Sequence, residues 1–311
     1  MNATMRDAFL DELYDIAQQD PRVMLLSNDF GAPSLDRYRA DLASQFIHIG
    51  IAEQNMVNVA TGLAMAGKIV YMYSIAPFLP LRCYEQIRVH MALRQPHITG
   101  VMVGAGYSYD LSGPTHQALE DIAIMDALPG MTILNGSDSV MGAAFARMTY
   151  ENPGPKYVRF DREKLPSLYD EDKEDFSDGL GVLKKGQDLT IVATGIMVHQ
   201  AFKVADELAK RSIAAGIIDL YRIKPLNEVK LMANIKKSKR VITIEESFTN
   251  SGIGSIISDL ITERGEGIRI KRLGIPNQYF PPGRNRQELH RLCGLDVETI
   301  TKTTVGWLGG E

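Results

Sequence analysis

The sequence predicts an α/β protein made of two doubly wound, mostly parallel sheets, one in each of two domains. Two observations carry that prediction. Short apolar runs bounded by glycine, proline and asparagine alternate with stretches of helical periodicity along the whole chain, which is the pattern of repeated βα units. One acidic stretch, Tyr169-Asp-Glu-Asp-Lys-Glu-Asp-Phe-Ser-Asp-Gly179, interrupts the alternation and reads as a linker between residues 1–175 and 180–311. A length of 311 residues suits two domains, each large enough to close its own core.

Taken in order, the chain opens with an amphipathic helix carrying Phe9, Leu10, Leu13, Tyr14, Ile16 and Ala17 on one side, stopped at Asp20-Pro21. Val23-Met-Leu-Leu-Ser27 is a buried strand, and Asn28-Asp-Phe-Gly31 is the loop at its carboxyl end. Phe46-Ile-His-Ile49 is a second strand, turning at Gly50 into a helix with Met56, Val57, Ala60, Leu63 and Ala64 at helical spacing. The strand Ile69-Val-Tyr-Met-Tyr73 leads to a loop holding Pro77, Phe78 and Pro80, and a helix follows from about Leu81. Ile98-Thr-Gly-Val-Met-Val103 ends in a long glycine-rich loop, residues 104–116, which opens a helix over residues 118–125. Met131-Thr-Ile-Leu134, a helix over 137–150 and Lys156-Tyr-Val-Arg-Phe160 complete the first half. In the second half, strands at 189–193, 214–220, 240–244 and 268–273 alternate with helices at 197–210, 227–235 and 256–264.

Composition narrows the function classes. The chain is 45% hydrophobic and 23% charged, which suits a globular protein and not a disordered one. Its 34 basic and 38 acidic residues sum to −4 with no sustained basic run, so nothing in it favours nucleic acid or an anionic membrane. No run approaches the length of a membrane span, and the amino terminus lacks an apolar signal core. Cys83 and Cys293, far apart and without ligand spacing, suggest reduced thiols and a cytoplasmic location.

Several residues stand where ligands gather in parallel sheets, at the carboxyl ends of strands. Glu53 enters the first turn of an apolar helix, where it either complements the helix dipole or serves a site. Asp29 follows the first strand, as turn former or site residue. His116 ends the glycine-rich loop, where an imidazole can shuttle protons near neutral pH. Ser251-Gly-Ile-Gly-Ser255 lacks the Walker lysine and the dinucleotide fingerprint, and is read as close helix packing on glycine. The scattered histidines lack metal-ligand spacing, and His48 is read as a hydrogen-bonded core or near-site residue.

Together these motifs resemble the carboxyl-terminal half of the transketolase family of thiamine diphosphate enzymes, over nearly the whole chain. Gly50-Ile-Ala-Glu-Gln-Asn-Met-Val57 is similar to the family's Gly-Ile-Ala-Glu-Gln segment, and Ser112-Gly-Pro-Thr-His-Gln-Ala-Leu-Glu-Asp121 to its Asp-Gly-Pro-Thr-His-Gln segment. Ala193-Thr-Gly195, Ile244-Glu-Glu246 and Gly252-Ile-Gly254 resemble its carboxyl-terminal domain. The resemblance implies a pyrimidine-binding domain over 1–175 and a transketolase C-terminal domain over 180–311. It implies that Glu53 bonds the cofactor's pyrimidine ring and favours the tautomer that takes the thiazolium proton. Tyr73 or Phe78 would stack on that ring, with Ile51 and Asp29 beside it. His116 would bond the substrate oxygen, with Ser112 and Asp110 nearby, and Arg159 and Arg162 of Arg-Phe-Asp-Arg would reach substrate phosphate. For the two arginines the alternative is a surface ion pair with Asp161 or Glu163.

Two departures from the family pattern bear on substrate. Ser112 replaces an aspartate that reads a donor hydroxyl, and Gly104 stands where transketolases often place a phosphate-contacting histidine. The chain also contains no Gly-Asp-Gly, the family's diphosphate and Mg²⁺ motif. The implied protein is therefore the carboxyl-terminal subunit of a split transketolase that transfers a two-carbon ketol unit between sugars or sugar phosphates. A separate amino-terminal subunit would hold the diphosphate and Mg²⁺, in a heterotetramer with two copies of each chain. A 1-deoxyxylulose-5-phosphate synthase-like carboligase, a 2-oxoacid dehydrogenase β subunit and a non-catalytic assembly subunit are the alternatives.

Overall fold

A computed structural model describes residues 3–28, 31–170 and 175–310. The first part of the chain runs α1 (Met5–Gln19), β1 (Val23–Ser27), α2 (Pro33–Asp41), β2 (Phe46–His48), α3 (Glu53–Met65) and β3 (Ile69–Ile75). It continues through α4 (Phe78–Arg82), α5 (Tyr84–Gln86) and a π-helical stretch (Ile87–Ala92) to β4 (Ile98–Val103), α6 (Asp121–Asp126), β5 (Thr132–Asn135), α7 (Ser139–Glu151) and β6 (Lys156–Phe160). The second part runs β7 (Gly181–Lys184), β8 (Leu189–Ala193), α8 (Met197–Ala209), β9 (Ala215–Asp219), β10 (Arg222–Lys224) and α9 (Glu228–Ile235). It ends with β11 (Arg240–Phe248), α10 (Ile253–Arg264), β12 (Arg269–Ile275), α11 (Arg286–Cys293) and α12 (Val297–Gly309).

These elements form two sheets, ordered β10-β5-β6-β4-β3-β1-β2 and β12-β11-β8-β9-β7. Pairing is parallel except for β10 on β5 and β7 on β9. The two-residue period of β3 shows why the central strands read as continuous apolar runs. Val70 and Met72 face one core with Met56, Val57 and Ala60 of α3. Ile69, Tyr71 and Tyr73 face the other, with Phe9, Leu10 and Leu13 of α1. The core on the α3 side continues through Val192 and Ile218 of the second sheet and Leu220 just after β9, so apolar packing crosses the seam between the sheets.

Some local expectations changed. Helix α4 starts at Phe78, not near Leu81, because Pro80 falls in its first turn, where a missing N–H costs no hydrogen bond. Helix α6 starts only at Asp121, since Ala118 pairs across the loop with Ala105 and Gly106. The β2 strand is the sheet's edge and His48 is exposed, so it is not a core residue. The Gly-Ile-Gly motif packs closely, a Cβ on Gly252 or Gly254 running into Glu245, and its amides also hold an anion supplied by the protein itself. Backbone amides of Ile253 and Gly254 bond the buried carboxylate of Glu245 at 2.8 and 2.9 Å, and burial pushes that acid up to about 7.

Candidate active site

Glu53 is the first residue of α3, positioned by the short strand β2 and the turn at Gly50, whose φ of +77° suits glycine. Its carboxylate is 6% exposed, and Oε1 accepts a hydrogen bond from Arg82 Nη1 at 3.0 Å. Arg82, at the end of α4, is half exposed and lies 4.2 Å above the ring of Phe78. The Phe78 ring meets His116 edge to face at 5.1 Å, and His116 lies 6.0 Å from the ring of Tyr109. Arg162 caps Tyr109 at 4.6 Å. A continuous line of side chains thus runs Glu53, Arg82, Phe78, His116, Tyr109, Arg162 along the carboxyl edge of the first sheet. Ile51, 77% exposed, stands two residues before Glu53.

The structure brings together four of the residues the sequence singled out, Glu53, Phe78, His116 and Arg162. Others it places elsewhere. Tyr73 lies on the opposite face of β3, in the core with α1, beside Arg6; burial pushes its phenol above the ordinary range. Of the two aromatic candidates, only Phe78 joins the line. Arg159 is buried, with Nε on Asp121 at 2.7 Å and Nη2 on the Ala118 carbonyl at 2.9 Å, so its guanidinium is spent inside the protein. Asp110 does not replace the missing aspartate at Ser112. Its carboxylate accepts from the amides of Leu111 and Arg286 at 2.8 and 2.9 Å, while Ser112 is exposed on a short 3-10 turn (Asp110–Ser112). Asp29 lies outside the described residues.

The alternative for Arg162, a surface ion pair with Asp161 or Glu163, is absent among the described residues because both acids face elsewhere. Asp161 and Glu163 both bond Arg286, at 2.5 and 2.9 Å, and Arg286 also bonds Glu246 through Nε at 2.8 Å. His290 bonds the same Glu246. Burial works against ionisation of Glu246, but Arg286 and His290 hold its carboxyl well below the ordinary carboxylate range. Sequence reasoning missed this cluster. The one available signal was Glu245-Glu246 inside an apolar strand, since buried acids require partners, but Arg286 lies in a segment without periodicity.

Donor and acceptor groups at the carboxyl edge fit an aminopyrimidine. Asn28, at the end of β1, is buried with both amide atoms unpartnered among the described residues, and Ser74 Oγ of β3 is likewise unpartnered. Each such group costs about 1–3 kcal/mol unless a ligand or water satisfies it. Glu53 offers a carboxyl to bond a ring nitrogen and Phe78 an aromatic surface for a flat ring.

Comparison with known proteins shows the family. Residues 1–167 match the pyrimidine-binding domain of transketolase and residues 180–300 its C-terminal domain. The chain is 33% identical to one of the subunits of the apulose-4-phosphate transketolase of Phocaeicola vulgatus, over 96% of both chains. It is 32% identical to the 6-deoxy-6-sulfo-D-fructose transketolase subunit SqwH of Clostridium sp. strain MSTE9, over 96% of this chain and 92% of that one. A solved split-gene transketolase, in an inactive β4 tetramer, superposes with a TM-score of 0.87 at 28% identity over 98% of each chain. The chain belongs to the transketolase family, a class of thiamine diphosphate-dependent enzymes. Among the described residues no helix is long and apolar enough to cross a membrane.

Proposed function

We propose that this chain is the carboxyl-terminal subunit of a split transketolase-like enzyme that moves a two-carbon ketol unit between sugars or sugar phosphates. Residues 1–175 act as the pyrimidine-binding domain and residues 180–311 as the carboxyl-terminal domain. A separate subunit carries the diphosphate-binding domain and holds the diphosphate and Mg²⁺, in a cytoplasmic α2β2 heterotetramer. The observation that carries this reading is the buried Glu53 carboxylate at a helix entry, in line with Phe78 and His116. Support for a second subunit comes from relatives named as subunits and from the inactive β4 assembly of the split-gene relative.

When bound, thiamine diphosphate supplies an electron sink that lets a carbon–carbon bond beside a carbonyl break and re-form. The protein's own residues divide the remaining work. Glu53, itself buried, would share a proton with a ring nitrogen of that group. Phe78 offers a flat apolar face, and Ile51 an apolar wall. His116, half buried, gives and takes a proton at the substrate oxygen. Arg162 meets an anionic end of the sugar, and Asp110 fixes the loop that carries His116. Asp29, which follows β1 in the sequence, is kept as a cofactor-side candidate, and Ser112 lies on the loop's exposed side.

The test is reconstitution. Incubated alone with thiamine diphosphate, Mg²⁺ and a ketose donor, the chain should give no turnover, and adding the diphosphate-domain subunit should restore it. Robust transfer without a partner would refute the split arrangement. Release of carbon dioxide from pyruvate would select a synthase instead. Wild-type rates from a complex carrying both Glu53→Ala and His116→Ala would leave only an assembly role.

A further inference from the structure

We propose that Tyr109 is a specificity-determining residue, one that fills the space left open at Gly104 and holds Arg162 in place to read a phosphate on the substrate. The inference rests on the transketolase-type reading above and deepens it. Gly104 follows β4 with φ +109°, and a Cβ there would stand 2.5 Å from Cε2 of Tyr109. Any larger residue at 104 is therefore excluded while the Tyr109 ring keeps its place. The ring is half-buried, and that burial raises its phenol above the ordinary range, so it is a neutral surface at working pH. The ring neighbours His116 at 6.0 Å and the guanidinium of Arg162 at 4.6 Å.

Arg162 itself is exposed, and it has no carboxylate partner among the described residues, because Asp161 and Glu163 are both held by Arg286. A lone exposed arginine would sample many rotamers and lose that freedom on binding. Pinned on an aromatic face, it has lost much of it already. Its planar fork suits the paired oxygens of a phosphate ester. Tyr109 thus acts as a positioning residue: it touches the arginine, and the arginine touches the anion.

The experiment uses the reconstituted complex with two acceptors that differ only in charge, ribose 5-phosphate and ribose. Arg162→Ala should raise KM for ribose 5-phosphate about tenfold to a hundredfold, the range of a charge-assisted hydrogen bond, with a smaller effect on kcat. Tyr109→Leu should raise the same KM about threefold to tenfold, the range of a cation–π contact, and Tyr109→Phe should retain the wild-type value. A KM ratio between the two acceptors that stays at its wild-type value in Tyr109→Leu would overturn the proposal. Chemical modification supplies a readout that needs no turnover. Ribose 5-phosphate, and not ribose, should shield Arg162 from phenylglyoxal in the wild type and in Tyr109→Phe, but much less in Tyr109→Leu. If no transfer occurs with either acceptor, the transketolase reading fails, and shielding still decides the role of Tyr109; unchanged labelling of Arg162 at saturating ribose 5-phosphate defeats it.

Discussion

Arg82 with Glu53 and Arg286 with Glu246 are both arginine–carboxylate pairs, and the protein uses them in opposite ways. Arg286 is 9% exposed and bonds Asp161, Glu163 and Glu246, with His290 closing the far side of Glu246. Every partner is fixed, as buried ions require, since an unpaired charge there would face a large desolvation cost. Arg82 is 49% exposed and makes a single bond to Glu53, on the sheet edge where Asn28 and Ser74 have no partner among the described residues. A saturated network can only hold structure together. An unsaturated one can exchange a partner for a ligand, which is what a site needs.

The sharpest way to break the comparison is to remove the acid of the open pair. Glu53→Gln should lower the rate of the reconstituted complex by about 10²–10⁴-fold, while urea unfolding of the chain shifts by less than about 1 kcal/mol. A rate within a few-fold of wild type would remove Glu53 from the chemistry. Next in size is the closed cluster. Arg286→Met should cost about 3–5 kcal/mol of stability by chemical denaturation, because it strands buried carboxylates. A loss below about 1 kcal/mol would show that the cluster is no structural clamp.

A third test sharpens the comparison among buried acids. Glu246 faces arginine and is held low, whereas among the described residues Asp219 bonds the neutral hydroxyls of Ser137 and Tyr169, at 2.6 and 3.0 Å, and burial pushes it up to about 7. The folded state therefore holds the Asp219 proton more tightly than the unfolded chain, whose carboxyl titrates near 3.8. Stability from this group falls as pH rises from about 4 to about 7, by at most about 1.4 kcal/mol per unit, and is flat above. For Glu246 the sign reverses: its contribution is present at neutral pH and is lost as pH drops below the ordinary carboxylate range. Asp219→Asn should thus gain on the wild type as pH rises through that window in urea titrations; a difference independent of pH would contradict the assignment. The smallest effect belongs to Arg82→Ala, whose half-exposed ion pair should contribute less than about 1 kcal/mol. A larger loss in thermal unfolding would erase the contrast with Arg286.

Much of the fold was legible because the central strands are buried on both faces and read as apolar runs, as in Val23–Ser27, Ile98–Val103 and Leu189–Ala193. The strands that escaped notice are short edge elements with antiparallel partners. Arg222–Lys224, two of whose three residues are basic, leaves the second half of the chain to extend the first sheet, and no local pattern announces such a crossing. The α11 and α12 helices were missed because their segment follows a run of proline and glycine that breaks periodicity. In the site, Glu53 and His116 could be singled out because each follows a strand end. Tyr73 and Phe78 could not be told apart, since which sheet face a strand residue takes depends on what packs against it.

Alternation and turn chemistry, written into the sequence alone, determined the βα order and delivered Glu53 to a helix entry, because those rules act over a few residues. Which arginine meets which acid was decided only in three dimensions. Arg286 and Asp161 stand 125 residues apart, and their pairing left Arg162 exposed while Arg159 was spent on Asp121. Charges are long-lived neighbours only once the chain has folded around them, so the choice between a clamp and a site was a property of packing and not of spacing.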